Sequence, residues 1–152
     1  MHILISACLL GTCCKYDGGH NYHPSLVQTL RKHGHQLHPV CPEQLGGLST
    51  PRIPCEIQHD RIIGKDGKDY TTFFEKGVSK ALEVVEQYPI DLAILQPSSP
   101  SCGASKIYDG TFSGRLIDGQ GYFTRKLKEL NIPIIEADTK LNISIVLSEK
   151  MD

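Results

Sequence analysis

Short apolar runs alternate along this chain with longer segments in which apolar residues recur at helical spacing. The short runs predict strands and the longer segments predict helices. The strands are expected at 2–6, 36–40, 91–95 and 132–136. The helices are expected at 24–33, 73–87, 123–130 and 139–150.

Local signals delimit the helical patterns. Pro24 suits a first helical turn and Gly34 suits a helix end. Thr71 or Thr72 is expected to cap the helix over 73–87. The apolar stripe of that helix would consist of Phe74, Val78, Ala81, Leu82 and Val85.

The rest of the chain predicts little regular structure. Residues 61–64, followed by a turn at Asp66-Gly67, predict a small hairpin. Residues 43–60 are expected to be irregular, and 96–121 to form a long loop rich in Gly and Ser.

Strands that alternate with helices indicate βαβ units. We therefore expect an α/β fold, with a mainly parallel, Rossmann-like sheet, helices on both of its faces and the hairpin as an insertion. The 152 residues predict one domain over 1–152, because domains commonly contain about 100–150 residues. A hydrophobic content of 39% is enough to build a core and argues against disorder.

Charge and hydropathy exclude some classes of partner. The net charge of -1 gives no overall basic field, so a nucleic-acid partner is not expected. No apolar run approaches the roughly 18 residues of a membrane span, so no membrane partner is expected either. The opening MHILISACLLG lacks the cationic start of an export signal, which predicts a cytoplasmic location.

Three of the six cysteines follow predicted strands: Cys8 after 2–6, Cys41 after 36–40 and Cys102 after 91–95. Because parallel strands end at the same edge of a sheet, these thiols are expected to meet in space.

Dispersed thiols of this kind have two interpretations. Three thiolates without a clear fourth fit an iron–sulfur cluster with one open iron. Alternatively, each cysteine is a small buried hydrophobic residue. The adjacent Cys13-Cys14 pair matches neither the CxxC redox motif nor the usual spacing of zinc ligands.

Polar residues beside these cysteines are candidates for chemistry. Glu43, two residues after Cys41, can serve as a general acid or base, or can simply favour a helix N-terminus. Ser99 and Ser101 can bind a substrate oxygen or form a turn.

The tripeptide Tyr-Asp-Gly occurs at 16–18 and again at 108–110. Tyr108 could stack on a flat ring while Asp109 orients the loop, although Asp-Gly is also a common turn. Three cations in irregular segments could hold an anion, but each alone is expected to be a solvated surface charge: Arg52, Lys106 and Arg115.

Several segments together resemble the TudS-like thiouracil desulfidase family, a bacterial family formerly catalogued as a domain of unknown function. They are ISACLLG (5–11), CKYDGG (14–19), PVCPEQLGGLSTPR (39–52), SPSCG (99–103) and IYDGTFSG (107–114). The resemblance implies a small α/β protein that holds a 4Fe–4S cluster through three cysteines. It also implies hydrolytic, non-redox desulfuration of a small thiolated base such as 2-thiouracil, with release of sulfide.

Carried over by position, the resemblance implies Cys8, Cys41 and Cys102 as cluster ligands and Glu43 and Ser99 as catalytic residues. Ser101, Tyr108 and Asp109 would contact the substrate. Cys14 also matches a family position, so which three of the four thiols bind iron stays open, while Cys13 and Cys55 are expected to be bystanders.

Two alternatives stand beside this hypothesis: a non-catalytic metal- or cluster-binding regulatory module, and desulfuration of thiolated tRNA. The oligomeric state is also open.

Overall fold

The computed structural model describes residues 1–137 of the chain. In chain order the strands are β1 His2–Ser6, β2 Gln36–Val40, β3 Cys55–Gln58, β4 Arg61–Gly64, β5 Ile90–Leu95, β6 Lys106–Tyr108, β7 Leu116–Asp118 and β8 Ile134–Glu136. The helices are α1 Pro24–Lys32, α2 Pro42–Leu45, α3 Thr71–Gln87 and α4 Tyr122–Glu129, and a 3-10 helix spans Ala7–Leu10.

Four of the strands form a parallel sheet in the order β2-β1-β5-β8. The central strand β1 is apolar on both faces, because its neighbours and the helices exclude water from each. Ile3 and Ile5 pack on the face that carries α1, whereas Leu4 packs with residues of α3 and α4. Helices therefore cover both faces of the sheet, and the predicted fold class is confirmed.

Residues 43–60 are not irregular, contrary to the prediction. They include most of the short helix α2 and all of strand β3, which pairs antiparallel with β4. The two residues that join these strands, His59 and Asp60, have φ of 48° and 64°, as tight hairpin turns prefer. The hairpin partner of β4 thus precedes it in the chain.

The Asp66-Gly67 turn does form, and the Gly64 N–H donates across it to the Lys68 carbonyl at 2.8 Å. The expected Thr cap of α3 is wrong, because Thr71 is already the first residue of the helix. Its hydroxyl accepts from the Ile62 N–H at 2.8 Å, and its own N–H donates to Asp69 Oδ1 at 2.8 Å.

Residues 96–121 contain a second small hairpin, β6 with β7, where a loop was predicted. The helix expected at 123–130 begins and ends one residue earlier, and the strand expected at 132–136 is shorter, beginning at Ile134. The helix predicted at 139–150 lies outside the described residues. Among residues 1–137, none of the helices combines the length and apolar character that crossing a bilayer needs.

Candidate active site

A pocket of about 410 Å³ lies at the carboxyl ends of β1, β2 and β5, where open α/β sheets commonly bind ligands. Cys8 reaches it from the 3-10 helix after β1, Cys41 from the start of α2, and Cys102 from the loop after β5. The structure therefore brings the three strand-end thiols to one pocket. Cys14 and Cys55 also line it.

The Cys14 thiol is the hydrogen-bonding neighbour that shifts the pKa of the Cys8 and Cys41 thiols. This hydrogen bonding lowers the pKa of Cys8 to about 7 and also lowers the pKa of Cys41. The pKa of Cys14 is raised, chiefly by its bond with Cys41. The thiolate, which is the form that binds metals, thus forms more readily at Cys8 and Cys41 than at an ordinary cysteine.

Cys102 occupies a different environment. Burial raises the pKa of its thiol to about 12, although the hydroxyls of Ser6 and Ser101 oppose this effect. The backbone N–H of Cys102 donates to Ser99 Oγ at 2.7 Å, and Ser101 Oγ lies 3.7 Å from the Cys102 sulfur. The two serines therefore fix the loop that carries this thiol. Burial also raises the pKa of Cys55 to about 12.

Glu43 lies between two donors in the same pocket. Arg52 donates from Nε and Nη2 to Glu43 Oε1, at 3.3 and 3.1 Å, and Ser101 Oγ donates to Oε2 at 2.9 Å. The side chains of Arg52 and Glu43 are only 6% and 15% exposed, so water screens this pair little. The carboxylate is therefore held from both sides.

Arg52 is not the solvated surface charge that we expected. Its Nη2 also donates to the Cys14 carbonyl at 2.8 Å, and its Nη1 donates to Ser49 O and Thr50 Oγ1. These bonds tie the cysteine loop after β1 to the segment that follows α2. With its donors committed in this way, Arg52 orients Glu43 and is not free to bind an anion.

A close crossing of α2 and α3 sets the position of Glu43. Pro42 begins α2, and Glu43 follows in its first turn. A Cβ at Gly77 of α3 would lie 1.7 Å from the Pro42 carbonyl oxygen, and one at Gly46 would lie 2.0 Å from the Phe73 carbonyl oxygen. Both glycines are needed for this approach of the two backbones.

Comparison with known proteins identifies the family of this chain. The sequence model of the family described as 2-thiouracil desulfurase matches residues 3–139. The chain belongs to this family.

Two similar proteins cover nearly all of the chain. The uncharacterized protein YbbK of Bacillus subtilis (strain 168) is 36% identical, over 92% of this chain and 97% of its own. The solved structure of a [4Fe-4S]-dependent thiouracil desulfidase, TudS, is 35% identical, with a TM-score of 0.87 over 97% of this chain and 98% of that chain. The structural similarity to TudS therefore covers nearly the whole of this chain.

The donor set of the pocket suits an iron–sulfur group such as the [4Fe-4S] cluster on which TudS depends. Iron–sulfur clusters are held by Cys thiolates, and buried or half-buried thiols of Cys8, Cys14, Cys41 and Cys102 line the pocket. Within residues 1–137, no three His, Cys, Asp or Glu side chains converge tightly enough for a single metal ion. Thiols spread around a pocket fit a group of several atoms better than they fit one ion.

Of the residues predicted to act on the substrate side of the site, all but Asp109 line the pocket. Ser99, Ser101 and Tyr108 line the pocket, and Tyr108 is 39% exposed at its mouth. Asp109 does not line it: its Oδ1 accepts from the N–H and the hydroxyl of Thr111. Asp109 thus holds the turn that follows Tyr108.

Three further residues contribute to the site without having been predicted in these roles. Asn21 Nδ2 lies 3.6 Å from the Cys8 sulfur, Arg52 orients Glu43, and Glu56 places a second carboxyl group in the pocket. Arg52 ends the motif at 39–52, but nothing in the sequence signals its pairing with Glu43. Lys106 pairs with Asp118 on the β6–β7 hairpin and does not line the pocket.

Proposed function

We propose that this protein is a 4Fe–4S-dependent desulfidase that hydrolyses the C–S bond of a thiolated pyrimidine such as 2-thiouracil. Water replaces sulfur on the ring carbon, so the products are uracil and sulfide and no electrons are transferred. The observation that carries the proposal is the placement of the Glu43–Ser101 pair in the same pocket as the strand-end thiols. The family and the similarity to TudS support it.

Cys8, Cys41 and Cys102 would hold the cluster, since each follows a different strand of the sheet and all three line the pocket. When bound through only three thiolates, such a cluster supplies a soft Lewis acid toward a thiocarbonyl sulfur. Cys14 would then be a neighbour that hydrogen-bonds to the thiols of Cys8 and Cys41. Asn21 would orient Cys8 through its side-chain amide.

Glu43 would transfer the protons of the hydrolysis. Arg52 occupies Oε1, so the acid–base work falls to Oε2, which accepts from Ser101. We expect Oε2 to take a proton from the attacking water and to return it to the products. Ser101 keeps this oxygen aimed at the pocket during the transfer.

Ser99 and Tyr108 would orient the base. Ser99 Oγ accepts from the Cys102 N–H and lies 3.3 Å from Ser101 Oγ, so a substrate oxygen would take the Ser99 hydrogen in place of Ser101. The Tyr108 ring at the pocket mouth offers a flat surface on which a pyrimidine can stack. Asp109 would act indirectly, by holding the turn next to Tyr108.

Anaerobic turnover of 2-thiouracil tests the proposal. We expect the cluster-loaded wild-type protein to release sulfide and uracil in equal amounts. Glu43→Gln is expected to lower kcat by about 10²- to 10⁴-fold with unchanged iron content, because the amide cannot accept a proton. Glu86→Gln, at an exposed position of α3, is the matched control and should turn over normally.

A cluster-loaded wild-type protein that releases no sulfide from any thiolated pyrimidine would contradict the proposal and favour a regulatory module. Sulfide release from thiolated tRNA alone would favour the RNA substrate instead. Equal activities of the Glu43→Gln and Glu86→Gln variants would exclude Glu43 from proton transfer.

A further inference from the structure

The pocket holds a second carboxyl group, which the mechanism above does not use. Glu56 lies in the middle of β3 and is 9% exposed, and it lines the pocket together with Glu43. A nearly buried carboxylate is costly unless it is hydrogen-bonded, so its partners indicate what it does.

One oxygen of Glu56 is committed to the protein. Oε1 accepts hydrogen bonds from the backbone N–H groups of Gly110 and Phe112, at 3.0 and 3.1 Å. These residues belong to the loop that follows Tyr108. The carboxylate is thereby fixed relative to the residue proposed to stack on the substrate.

The contact between β3 and this loop is tight. Gln58, also on β3, donates from Nε2 to the Gly110 carbonyl. Gly110 has φ of +94°, and a Cβ there would lie 2.8 Å from the Ile57 carbonyl oxygen. The loop therefore has little freedom to move away from Glu56, and the second carboxylate oxygen is fixed with it.

The other oxygen of Glu56 has no donor in the described part of the chain and is not fully buried. Within residues 1–137, no group donates to Oε2, and the one fully buried side-chain N or O atom without a partner is His35 Nε2. Oε2 is thus accessible, and the residue borders the pocket. A fixed anionic acceptor in a pocket is suited to an N–H donor of a ligand.

We propose that Glu56 is a specificity-determining residue, whose Oε2 accepts a ring N–H of the bound base. This inference rests on the proposed function, and it defines the substrate class further: a thiolated base that carries an unsubstituted N–H toward β3. N-alkylation at that nitrogen removes the donor and places a methyl group against a carboxylate.

Glu56→Gln isolates the contact. The glutamine amide has a single acceptor oxygen, which must face the N–H groups of Gly110 and Phe112. Its NH2 group then takes the place of Oε2, so that two N–H donors face each other when the substrate binds. We expect KM for 2-thiouracil and the Kd for uracil, measured by anaerobic equilibrium dialysis, to rise about tenfold to a hundredfold. The value of kcat should change little, because the contact forms equally in the ground state and the transition state.

Gln58→Ala is the matched control, since it loosens the same loop from the same strand but does not line the pocket. Binding of uracil, 1-methyluracil and 3-methyluracil is compared in the wild type and both variants. One of the methyl groups should weaken binding to the wild type and to Gln58→Ala. It should weaken binding to Glu56→Gln much less.

Three results would overturn the inference: no methyl group weakens binding to the wild type, the penalty persists in Glu56→Gln, or both variants lose affinity to the same extent. The first of these needs no variant and is independent of folding defects. Failure of the proposed function would differ from all three, as absence of sulfide release by cluster-loaded wild-type protein, while uracil binding can still be measured.

Discussion

Ser101 donates a hydrogen bond of 2.9 Å to Glu43 Oε2, although 58 residues separate the two in the chain. This bond joins the loop after β5 to the start of α2, across the pocket. Ser101 is 1% exposed, so the bond forms away from water, where it is stronger than at the surface. The side chain expected to move protons is therefore oriented by a residue from a different βα unit.

Removal of this donor should affect turnover more than folding. We expect Ser101→Ala to lower kcat about tenfold to a hundredfold, because Oε2 loses its fixed orientation. Iron content should match the wild type. Ser113→Ala, at an exposed position between β6 and β7, should leave kcat unchanged. Equal kcat values for the two variants would show that Ser101 does not position Glu43.

Replacement of the Arg52 guanidinium by a lysine ammonium group should destabilise the fold. Lysine cannot reproduce the donors that Arg52 extends at once to Glu43, Cys14 and Thr50. We expect Arg52→Lys to lower the free energy of unfolding by about 3 kcal/mol, because a nearly buried carboxylate loses its matched partner. Urea unfolding of the apoprotein measures this. A change below about 0.5 kcal/mol would contradict the expectation.

At the crossing of α2 and α3, replacing a glycine by alanine should change the free energy of unfolding in the direction opposite to that expected from helix propensity. Alanine for glycine inside a helix ordinarily stabilises by about 1 kcal/mol. Gly77→Ala should instead destabilise by more than about 2 kcal/mol, because the new Cβ would overlap the Pro42 carbonyl. Ser79→Ala, at an exposed position of the same helix, is the control. Thermal unfolding that ranks Gly77→Ala at or above wild type would contradict this crossing.

His35 should make the apoprotein acid-sensitive. Burial lowers the pKa of His35, its Nδ1 lies 2.9 Å from the Met1 amine, and its Nε2 has no partner. The unfolded chain therefore takes up a proton near pH 6.5, whereas the folded chain takes it up only at a lower pH. The stability is fully present above that pH and falls below it, by at most about 1.4 kcal/mol per pH unit.

Urea unfolding between pH 7.5 and 5.5 tests this sign. His35→Gln should show a shallower loss of stability toward low pH than the wild type. His59→Asn, at an exposed turn position with positive φ, should keep the wild-type slope. An unchanged slope in His35→Gln would assign the acid sensitivity to other groups.

The sequence predicted best those elements whose structure is indicated by neighbouring residues in the chain. The apolar runs of β1 and β5, together with the predicted strand at β2, indicated the sheet, and the positions of these strands predicted the convergence of Cys8, Cys41 and Cys102. Helix α2 spans only Pro42–Leu45, too short for a periodic pattern, and it is shaped by its contact with α3. The only local indications of this helix are Pro42 and Glu43, which are residue types typical of a first helical turn.

The missed parts of the site depend on partners distant in the chain. Arg52 was expected to be a solvated cation because no spacing rule connects it with Glu43 in a non-helical segment. Glu56 likewise acquires its role from backbone groups of Gly110 and Phe112, more than fifty residues later. A single sequence identifies candidate carboxylates such as Glu43 and Glu56. Only tertiary contacts show which of their oxygens accept hydrogen bonds from the protein and which have no protein donor.

The iron and acid-labile sulfide content after anaerobic cluster assembly tests whether the thiols of Cys8, Cys41 and Cys102 hold a 4Fe–4S cluster. We predict about four of each per wild-type chain, and the same for Cys13→Ser and Cys14→Ser. Cys8→Ser, Cys41→Ser and Cys102→Ser should each lose most of both. A wild-type protein that takes up zinc but no iron and sulfide would contradict a cluster in this pocket. Full iron content in all three strand-end variants would contradict these ligands.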